Sequence, residues 1–384
     1  MRHSTERILT THVGALPAPD GIWGNSDLGT EALAAAVRDV MARQRECGID
    51  IINEGEFTKG GNWVSFVNSR LGGFSPVNTG ELMQLMTGSA DWREFSDYYQ
   101  AALDGGTLFE QTARAPSQTS GAARDFICDG PITYIGLEAL TREIDAVKAA
   151  LGDTPPSDVF LTSTAPASLE PGRVNRYYPS DEDYVFALAE AMRVEYEAIA
   201  EAGFMVQVDD AWLAALWDRI GIPMGIEAYR TYCTMRMEAL NHGLRNIPED
   251  RIRYHLCWGS WHGPHAHDLP LKDIIDLLLT VKAQTYLIEG ANARHEHEFT
   301  VWDEVKLPDG KILAPGVVSH ATTLIEHPEL VASRILRYAE RLGRENVVAS
   351  TDCGLGLRCH PQIAWAKLKA LSEGARLASD RLWA

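Results

Sequence analysis

Long apolar segments and disulfide patterns are absent from this sequence of 384 residues. No run of about 18 apolar residues occurs, so we expect no membrane-spanning helix. The opening residues MRHSTERILTTHVG lack the apolar segment of a secretion signal. The six cysteines are unevenly spaced, which predicts free thiols rather than a disulfide framework. Together these absences predict a protein of the cytoplasm.

Positive charge is also scarce, because 35 Lys and Arg residues stand against 53 Asp and Glu residues. The resulting formal net charge of -18 argues against binding to nucleic acid and against docking on anionic lipid. Hydrophobic residues make up 45% and charged residues 23%, which is ordinary for a globular protein with a large core. We therefore expect small-molecule partners rather than a nucleic acid or a membrane.

Short apolar strands alternate with amphipathic helices along the chain, a pattern typical of strand–helix units around a parallel sheet. The predicted strands cover 8–13, 49–53, 159–166, 204–210, 252–258, 285–290, 314–320 and 346–353. The predicted helices cover 30–47, 181–202, 224–243, 270–282, 328–342 and 361–378. The sequence thus predicts eight units in succession.

Eight parallel units predict an α/β protein with a (β/α)₈ TIM barrel. The alternative, an open doubly wound sheet, expects a glycine-rich phosphate turn after the first strand, and HVGALPAP is not such a turn. Residues 60–157 show no clean strand–helix period, so we interpret them as a lid-like insertion after the second strand. A further strand near 126–135 is assigned to this insertion. We expect one barrel domain over 1–384.

Polar side chains with metal-binding or acid–base chemistry stand at the end of almost every predicted strand. In a barrel of this kind the carboxyl ends of the strands form the active-site face. The side chains expected to meet there are His12, Glu54, Glu56, Asp209, Asp210, His255, Cys257, Glu289, His320, Asp352 and Cys353.

Four of these residues form a set that suits a metal ion. His255 and Cys257 are two positions apart on one strand, so their side chains point to the same face. Glu289 and Cys353 end later strands of the same barrel mouth. Two thiolates, a carboxylate and a neutral imidazole suit zinc, and such a site could bind a substrate thiol and lower its pKa.

Seven motifs of the chain resemble the catalytic half of the cobalamin-independent methionine synthase family. They are TTHVGALP, GIDIINEGEF, FMVQVDD, HLCWG, YLIEG, GVVSH and STDCGLGLR. The wider family includes zinc-dependent thiol alkyltransferases such as epoxyalkane:coenzyme M transferase, and its fold is a (β/α)₈ barrel. The resemblance covers most of the chain and is poorest over 60–150.

The resemblance implies a role for each matching residue. It implies Zn²⁺ as cofactor, held by His255, Cys257, Glu289 and Cys353. Glu56 and Asp209 stand where the family holds the amino group of homocysteine, and His320 stands where the family has a proton donor to the leaving group. We add His12, at the end of the first strand, as a third candidate substrate-binding residue.

Several positions depart from the methionine synthase pattern and leave the alkyl donor open. Ala15 replaces a serine of the first-strand turn, and Asp209-Asp210-Ala211 replaces Asp-Glu-Pro. The stretch APASLEPGRVNRYY after the third strand has no tryptophan, whereas the family stacks one on folate there. The N-terminal duplicate barrel of the long synthase is not expected. The residues with which the family binds metal are therefore all present, whereas those with which it binds folate are not.

The leading functional hypothesis is a zinc-dependent S-alkyltransferase, first of all one that transfers a methyl group to homocysteine and gives methionine. Ring opening of a small epoxide by a thiol is the alternative version. Two other classes stay open: a zinc-dependent lyase or hydrolase, and a non-catalytic zinc or thiol binder. The expected partners are a thiol and an alkyl donor, while a homo-oligomer and a donor-delivering protein are left open.

Two groups of histidines near the active-site face have no assigned role. His262, His265 and His267 follow the strand that carries His255, and His295 and His297 follow the strand that carries Glu289. A second metal site is one interpretation of the first group, and a pocket wall or lid is the other. The second group predicts a charged, solvated helix start.

Overall fold

The computed structural model describes residues 1–19, 21–22, 29–59, 65–108, 125–356 and 358–384. Its strands are β1 Leu9–Thr10, β2 Leu71–Val77, β3 Asp125–Tyr134, β4 Phe160–Thr164, β5 Arg173–Asn175, β6 Met205–Asp209, β7 Ile252–Leu256, β8 Thr285–Ile288, β9 Ile312–Val318 and β10 Val348–Thr351. Seven of them form one parallel sheet in the order β1-β10-β9-β8-β7-β6-β4. The other three, β2, β3 and β5, form a separate sheet.

The segment around Ile52 closes the large sheet into a barrel. Ile52 forms a parallel bridge with Val159, beside β4. On its other side, the Ile51 amide donates to the Thr10 carbonyl of β1 at 3.0 Å. This segment is therefore the eighth parallel member and lies between β1 and β4. The structure confirms the predicted (β/α)₈ barrel.

The barrel interior is filled by apolar side chains from most of its strands. These are Leu9, Val13, Ile51, Phe160, Met205, Leu287, Ile312, Ala314 and Val348. All seven residues of β9 and all five of β7 are buried, as expected for strands covered on both faces. Arg253 of β7 carries a charge but is buried like its neighbours. Its guanidinium lies over the ring of Phe160 at 3.8 Å.

The long helices cover the outside of the barrel, and their apolar residues recur at helical spacing. The helices are α1 Thr30–Glu46, α2 Glu81–Thr87, α3 Ala90–Glu94, α4 Ser96–Asp104, α5 Leu137–Ala150, α6 Pro166–Leu169, α7 Asp181–Glu201, α8 Ala211–Ala215, α9 Ile222–Met224, α10 Ile226–Gly243, α11 Ile275–Leu278, α12 Pro328–Leu342 and α13 Pro361–Leu382. In α12, for example, Val331, Ile335 and Tyr338 are buried one turn apart. Shorter 3₁₀ segments include Phe57–Lys59, Leu271–Asp273 and Glu296–Asp303.

The segment between the second and third barrel strands contains a small sheet and a helix of the outer layer. β2 pairs with β3 in antiparallel fashion, and β3 pairs with β5 in parallel. Helix α5, which follows β3, packs against α1 beside the barrel. The assignment of 60–157 as a lid-like insertion in a single domain remains a prediction. Part of that range, 60–64 and 109–124, lies outside the described residues.

The structure differs from the sequence pattern most clearly at 270–282. Instead of one helix, this stretch has the 3₁₀ turn Leu271–Asp273 and the single turn α11. Ile274, at φ -135, interrupts the helical backbone between them. Within the described residues, no helix is long and apolar enough to cross a membrane.

Candidate active site

Three of the predicted ligands meet at the carboxyl end of the barrel. The ligand atoms of His255, Cys257 and Cys353 all lie within 4.8 Å of one another. His255 belongs to β7, and the two cysteines follow β7 and β10 directly. Zinc bonds of about 2.0 to 2.3 Å place tetrahedral ligand atoms roughly 3.5 Å apart, so the three atoms need little movement to share one ion.

The free nitrogen of His255 supports this arrangement. Its Nδ1 atom is hydrogen-bonded to Asp209 Oδ1 at 2.9 Å, whereas its buried Nε2 atom has no hydrogen-bond partner. Burial works against the charged imidazole, but the hydrogen bond to Asp209 raises the pKa of His255 overall. A histidine ligand commonly binds metal through one nitrogen while a carboxylate holds the other. An orphaned buried nitrogen beside two thiols therefore fits a metal ion.

Each of the two thiols affects the ionisation of the other. A hydrogen bond from Cys257 lowers the pKa of Cys353 to about 6, and the positive charges of His255 and Arg358 act in the same direction. The same hydrogen bond, together with burial, raises the pKa of Cys257. Of the two thiols, Cys353 is therefore the one that ionises more readily. Binding of a cation favours loss of the second proton.

Glu289, the fourth predicted ligand, is grouped differently. Its carboxylate forms a second group with His320 and Asp352, again with all ligand atoms within 4.8 Å. Glu289 Oε1 accepts the Trp258 amide at 2.9 Å. Burial raises the pKa of Glu289 to about 8, against the opposing positive charge of His295. The negative charge of Glu289 also raises the pKa of Cys257, so this carboxylate borders the thiol group without belonging to it.

His320, the predicted proton donor, lies just after β9 and is buried. Burial, and then the positive charge of Arg358, lowers the pKa of His320 well below its usual value. The imidazole is therefore neutral at pH 7 in this structure. The Arg358 Nε atom donates to the Ser260 hydroxyl at 2.9 Å, which fixes the guanidinium on the loop after β7.

Glu56 and Asp209, the predicted holders of an amino group, are close enough to repel each other. Burial raises the pKa of Glu56 to about 8; Lys59 opposes this effect, and the negative charge of Asp209 adds to it. Glu56 has a left-handed backbone, with φ 60, which non-glycine residues adopt at a cost. Gly14 makes room for it, because a Cβ atom at position 14 would lie 1.9 Å from Glu56 Oε1. Two buried carboxylates of this kind favour a cationic ligand.

His12 contacts helix α1 and strand β4. Its Nε2 atom is 2.7 Å from Gln44 Oε1 of α1, and its ring packs against Phe160 at 5.4 Å. Burial lowers the pKa of His12 to about 3, so the ring is neutral. The contact with Gln44 gives His12 a structural partner in the helix layer. Its role in substrate binding stays a prediction.

The histidines after β7 and β8 form a hydrogen-bonded network instead of a histidine cluster. Among the described residues, neither group that could hold a metal ion includes any of them. Asp268 bridges His265 Nδ1 at 3.0 Å and His295 Nε2 at 3.1 Å. The two rings stack on Trp261 and Trp258, at 4.2 and 4.0 Å. This network supports the interpretation of the loop as a wall of the pocket.

His267 and His297 lie apart from that network. His267 Nε2 is 2.7 Å from Glu94 Oε2 at the surface. His297 lies in the 3₁₀ segment Glu296–Asp303 and is not buried. His262, on the loop after β7, is partly buried, and burial lowers the pKa of its ring to about 4.

Sequence reasoning missed two buried charged residues near the site. Arg253 is fully buried two residues before His255 and donates to the His12 carbonyl at 2.9 Å. Lys59 is buried three residues after Glu56. The signal for Arg253 was available, since a charged residue shares the inward face of an otherwise buried strand. No comparable local pattern marks Lys59.

Comparison with known proteins identifies the family. Residues 85–376 match the family described as the catalytic domain of cobalamin-independent synthases. A methionine synthase of Saccharolobus solfataricus is 24% identical over 390 residues, which is 97% of this chain and 95% of that protein. A methionine synthase of Saccharolobus islandicus strain L.S.2.15 is 25% identical over 225 residues, 58% of this chain and 59% of that protein.

A solved structure shares the fold. The B12-independent methionine synthase from Shewanella sp. W3-18-1 superposes with a TM-score of 0.67 at 16% identity, covering 98% of this chain and 99% of that one. The family match extends over about three quarters of the chain and includes every strand end from Asp209 to Cys353. The chain therefore belongs to the family of the catalytic domain of cobalamin-independent synthases.

Proposed function

We propose that this chain is a zinc-dependent S-alkyltransferase that transfers a methyl group to the thiol of homocysteine and gives methionine. The observation that carries the proposal is the group of His255, Cys257 and Cys353, whose ligand atoms lie within 4.8 Å of one another. Two buried carboxylates, Glu56 and Asp209, stand beside this group. Membership of the family and the names of its relatives support the same chemistry.

The residues fit a zinc ion in donor type and in charge. His255 would bind through Nε2, and the two cysteines would bind as thiolates, with Glu289 as the proposed fourth ligand. When bound, the metal supplies the positive charge that lowers the pKa of an incoming thiol. Two cysteine thiolates make a site poorly suited to acidify water, because their negative charge weakens that effect. This argues against the lyase or hydrolase alternative.

Glu56 and Asp209 would bind the ammonium group of an amino thiol. Both carboxylates are buried, and the negative charge of Asp209 disfavours the ionised form of Glu56. A cation placed between them removes this repulsion and replaces water with two charge-assisted hydrogen bonds. The acceptor thiol would then be held at a fixed distance from Cys257 and Cys353, which follow β7 and β10.

His320 would deliver the proton that the leaving atom of the donor needs. In the transfer, a carbon–sulfur bond forms as the bond between the methyl carbon and the leaving atom breaks, and the leaving atom takes up a proton. The imidazole is neutral in the free protein. Negative charge brought in by the bound thiol favours the imidazolium, which His320 would form with a proton from solvent.

Ring opening of a small epoxide by a thiol is the second candidate function. The sequence features that favour it are Ala15 in the first-strand turn and the absence of tryptophan from 165–178. Both departures concern positions that serve carboxylate or folate binding in the family. The metal group and His320 would act in the same way, with an alkoxide oxygen as the leaving atom.

A product assay separates these functions. The zinc-loaded protein is incubated with homocysteine and a methyltetrahydrofolate-type donor, and separately with a small epoxide and a thiol, and the products are identified by mass spectrometry. Methionine formation supports the proposed function, and a thioether from the epoxide supports the second candidate. Consumption of a donor without any thiol would favour the hydrolase class and contradict both.

A further inference from the structure

Lys59 is a buried cation directly behind the proposed ammonium site. It ends the 3₁₀ turn Phe57–Lys59, and only 2% of its surface is exposed. Its Nζ atom lies 2.6 Å from the Thr162 hydroxyl, 3.3 Å from Glu143 Oε1 and 3.5 Å from Glu54 Oε1. Neither the metal group nor the proposed transfer uses this charge.

The first link from Lys59 to Glu56 runs through the backbone. Glu54 Oε1 pairs with Lys59 and also accepts the amide of Glu56 at 3.1 Å. The Lys59 amide in turn donates to the Glu56 carbonyl at 3.0 Å. Both amide–oxygen contacts hold Glu56 in its left-handed conformation, with φ 60. Such strained backbone persists only where the surroundings over-determine it.

The second link runs through a side-chain hydroxyl. Thr162 lies on β4, and its hydroxyl oxygen accepts a hydrogen bond from Lys59 Nζ at 2.6 Å. The same hydroxyl lowers the pKa of the Glu56 carboxyl, against the larger effect of burial, and so favours the ionised form of that acid. A hydroxyl has one proton and two lone pairs. Because Lys59 Nζ can only donate, Thr162 accepts from Lys59, and this leaves the hydroxyl proton available to Glu56. The hydroxyl is therefore oriented by the lysine.

Resting on the proposed function, we infer that Lys59 is a positioning residue that fixes the Glu56 carboxylate for the substrate ammonium through Glu54 and Thr162. The lysine also joins the site to the neighbouring small sheet. Glu143 binds both Lys59 and Arg70, whose guanidinium lies 2.9 Å from Glu143 Oε2. The position of Glu56 thus depends on a buried ion network that reaches Arg70, the residue directly before β2.

This role has a signature that general destabilisation lacks. An amino thiol uses Glu56, whereas the same thiol without its amino group does not. Loss of Lys59 should therefore weaken binding of the amino thiol selectively. Homocysteine and 4-mercaptobutyrate form a suitable pair, because they share the thiol, the chain length and the carboxylate and differ only in the amino group.

The test measures the affinities of both thiols for the Co²⁺-loaded protein, from the absorbance that a thiol ligand adds. We expect Lys59→Met to weaken homocysteine binding by about tenfold or more, as expected when a charged hydrogen bond loses its geometry. Binding of 4-mercaptobutyrate should change by less than about twofold on the same reasoning. Lys59→Arg, which keeps the charge, should restore most of the preference for homocysteine.

Two further variants keep the test decisive. Lys367 is another fully buried lysine, with Nζ 2.9 Å from Glu326 Oε2, and Lys367→Met is the matched control that should leave the preference unchanged. Thr162→Val removes only the relay hydroxyl, so it decides the question if Lys59→Met fails to fold. A parallel loss of both thiols in Lys59→Met or Thr162→Val overturns the inference. Equal binding of both thiols by the unmodified protein would overturn the proposed amino-group site itself, and the inference with it.

Discussion

The Oδ1 atom of Asp209 lies 2.9 Å from the Nδ1 atom of His255, and the two residues are cross-strand partners on β6 and β7. The same oxygen accepts a hydrogen bond from Gln207 Nε2 at 2.9 Å. This arrangement fixes the imidazole with Nε2 facing the two thiols. Asp209 therefore acts on the proposed metal site through His255, in addition to its predicted contact with substrate.

Asp209→Asn should weaken metal binding without removing a ligand. An asparagine in this position no longer stabilises the tautomer and orientation that His255 needs. Loss of such an outer carboxylate typically lowers metal affinity by about 10- to 100-fold. Competition with a chromophoric zinc chelator measures the change. The exposed carboxylate Asp303 supplies the control, since Asp303→Asn should leave zinc affinity unaltered; an equal loss in both variants would contradict the role of Asp209.

Cys353→Ser should abolish tight zinc binding. Cys353 is the more readily ionised of the two thiols, and a serine hydroxyl does not ionise at neutral pH. Metal analysis of the purified protein should give about one zinc per chain before the change and little after it. Cys233→Ser is the matched control, because Cys233 is buried in α10 outside the metal group. Retention of zinc by Cys353→Ser would show that the ion binds elsewhere.

Gly14→Ala should impair binding of an amino thiol. The new Cβ atom would lie 1.9 Å from Glu56 Oε1, so the carboxylate has to move away from its present position. We expect the dissociation constant of homocysteine to rise about tenfold. Gly152→Ala places a side chain at a positive φ of 56 in open space, and it should leave homocysteine binding intact. Calorimetric titration of both variants checks the comparison.

The stability of the fold should decrease as the pH rises above neutrality, and His295 should account for part of the decrease. Burial opposes its charge, but hydrogen bonds to Asp268 and Glu298 raise its pKa to about 10. The folded protein keeps a proton that the unfolded chain loses near pH 6.5, so this stabilisation is complete below pH 6.5 and is lost as the pH rises through about 10.

The expected loss between pH 7.5 and 9.5 is about 1.4 kcal/mol of unfolding free energy per pH unit from this residue. Denaturant titrations at pH 7, 8 and 9 measure it by comparing the unmodified protein with His295→Gln. The variant should be less stable at pH 7, and its stability should fall less steeply with pH. Parallel pH dependences for the two proteins would mean that His295 is neutral when folded.

The sequence alone allowed prediction of the barrel and of the face that carries the site. Parallel strands all end at one side of a barrel, so polar residues placed just after each strand had to converge. His255, Cys257 and Cys353 meet in this way. The alternation of strands and helices was sufficient because the barrel strands are buried on both faces and form short, nearly continuous apolar runs.

Local sequence patterns could not predict the contacts between segments that are distant in the chain. Lys59 and Thr162 are 103 positions apart, and nothing near Lys59 indicates that its charge is buried. Asp268 likewise joins two histidines of different loops. The helix predicted over 270–282 was wrong because its apolar spacing is compatible with two short turns as well as with one helix. Tertiary packing decided between these possibilities.

X-ray absorption at the zinc edge tests most directly the claim that the metal centre binds the substrate thiol. The zinc-loaded protein is measured alone, with homocysteine, and with homoserine, which carries oxygen in place of sulfur. We predict that homocysteine adds one sulfur neighbour to those from Cys257 and Cys353, and that homoserine adds none. An unchanged number of sulfur neighbours on saturation with homocysteine would contradict the account.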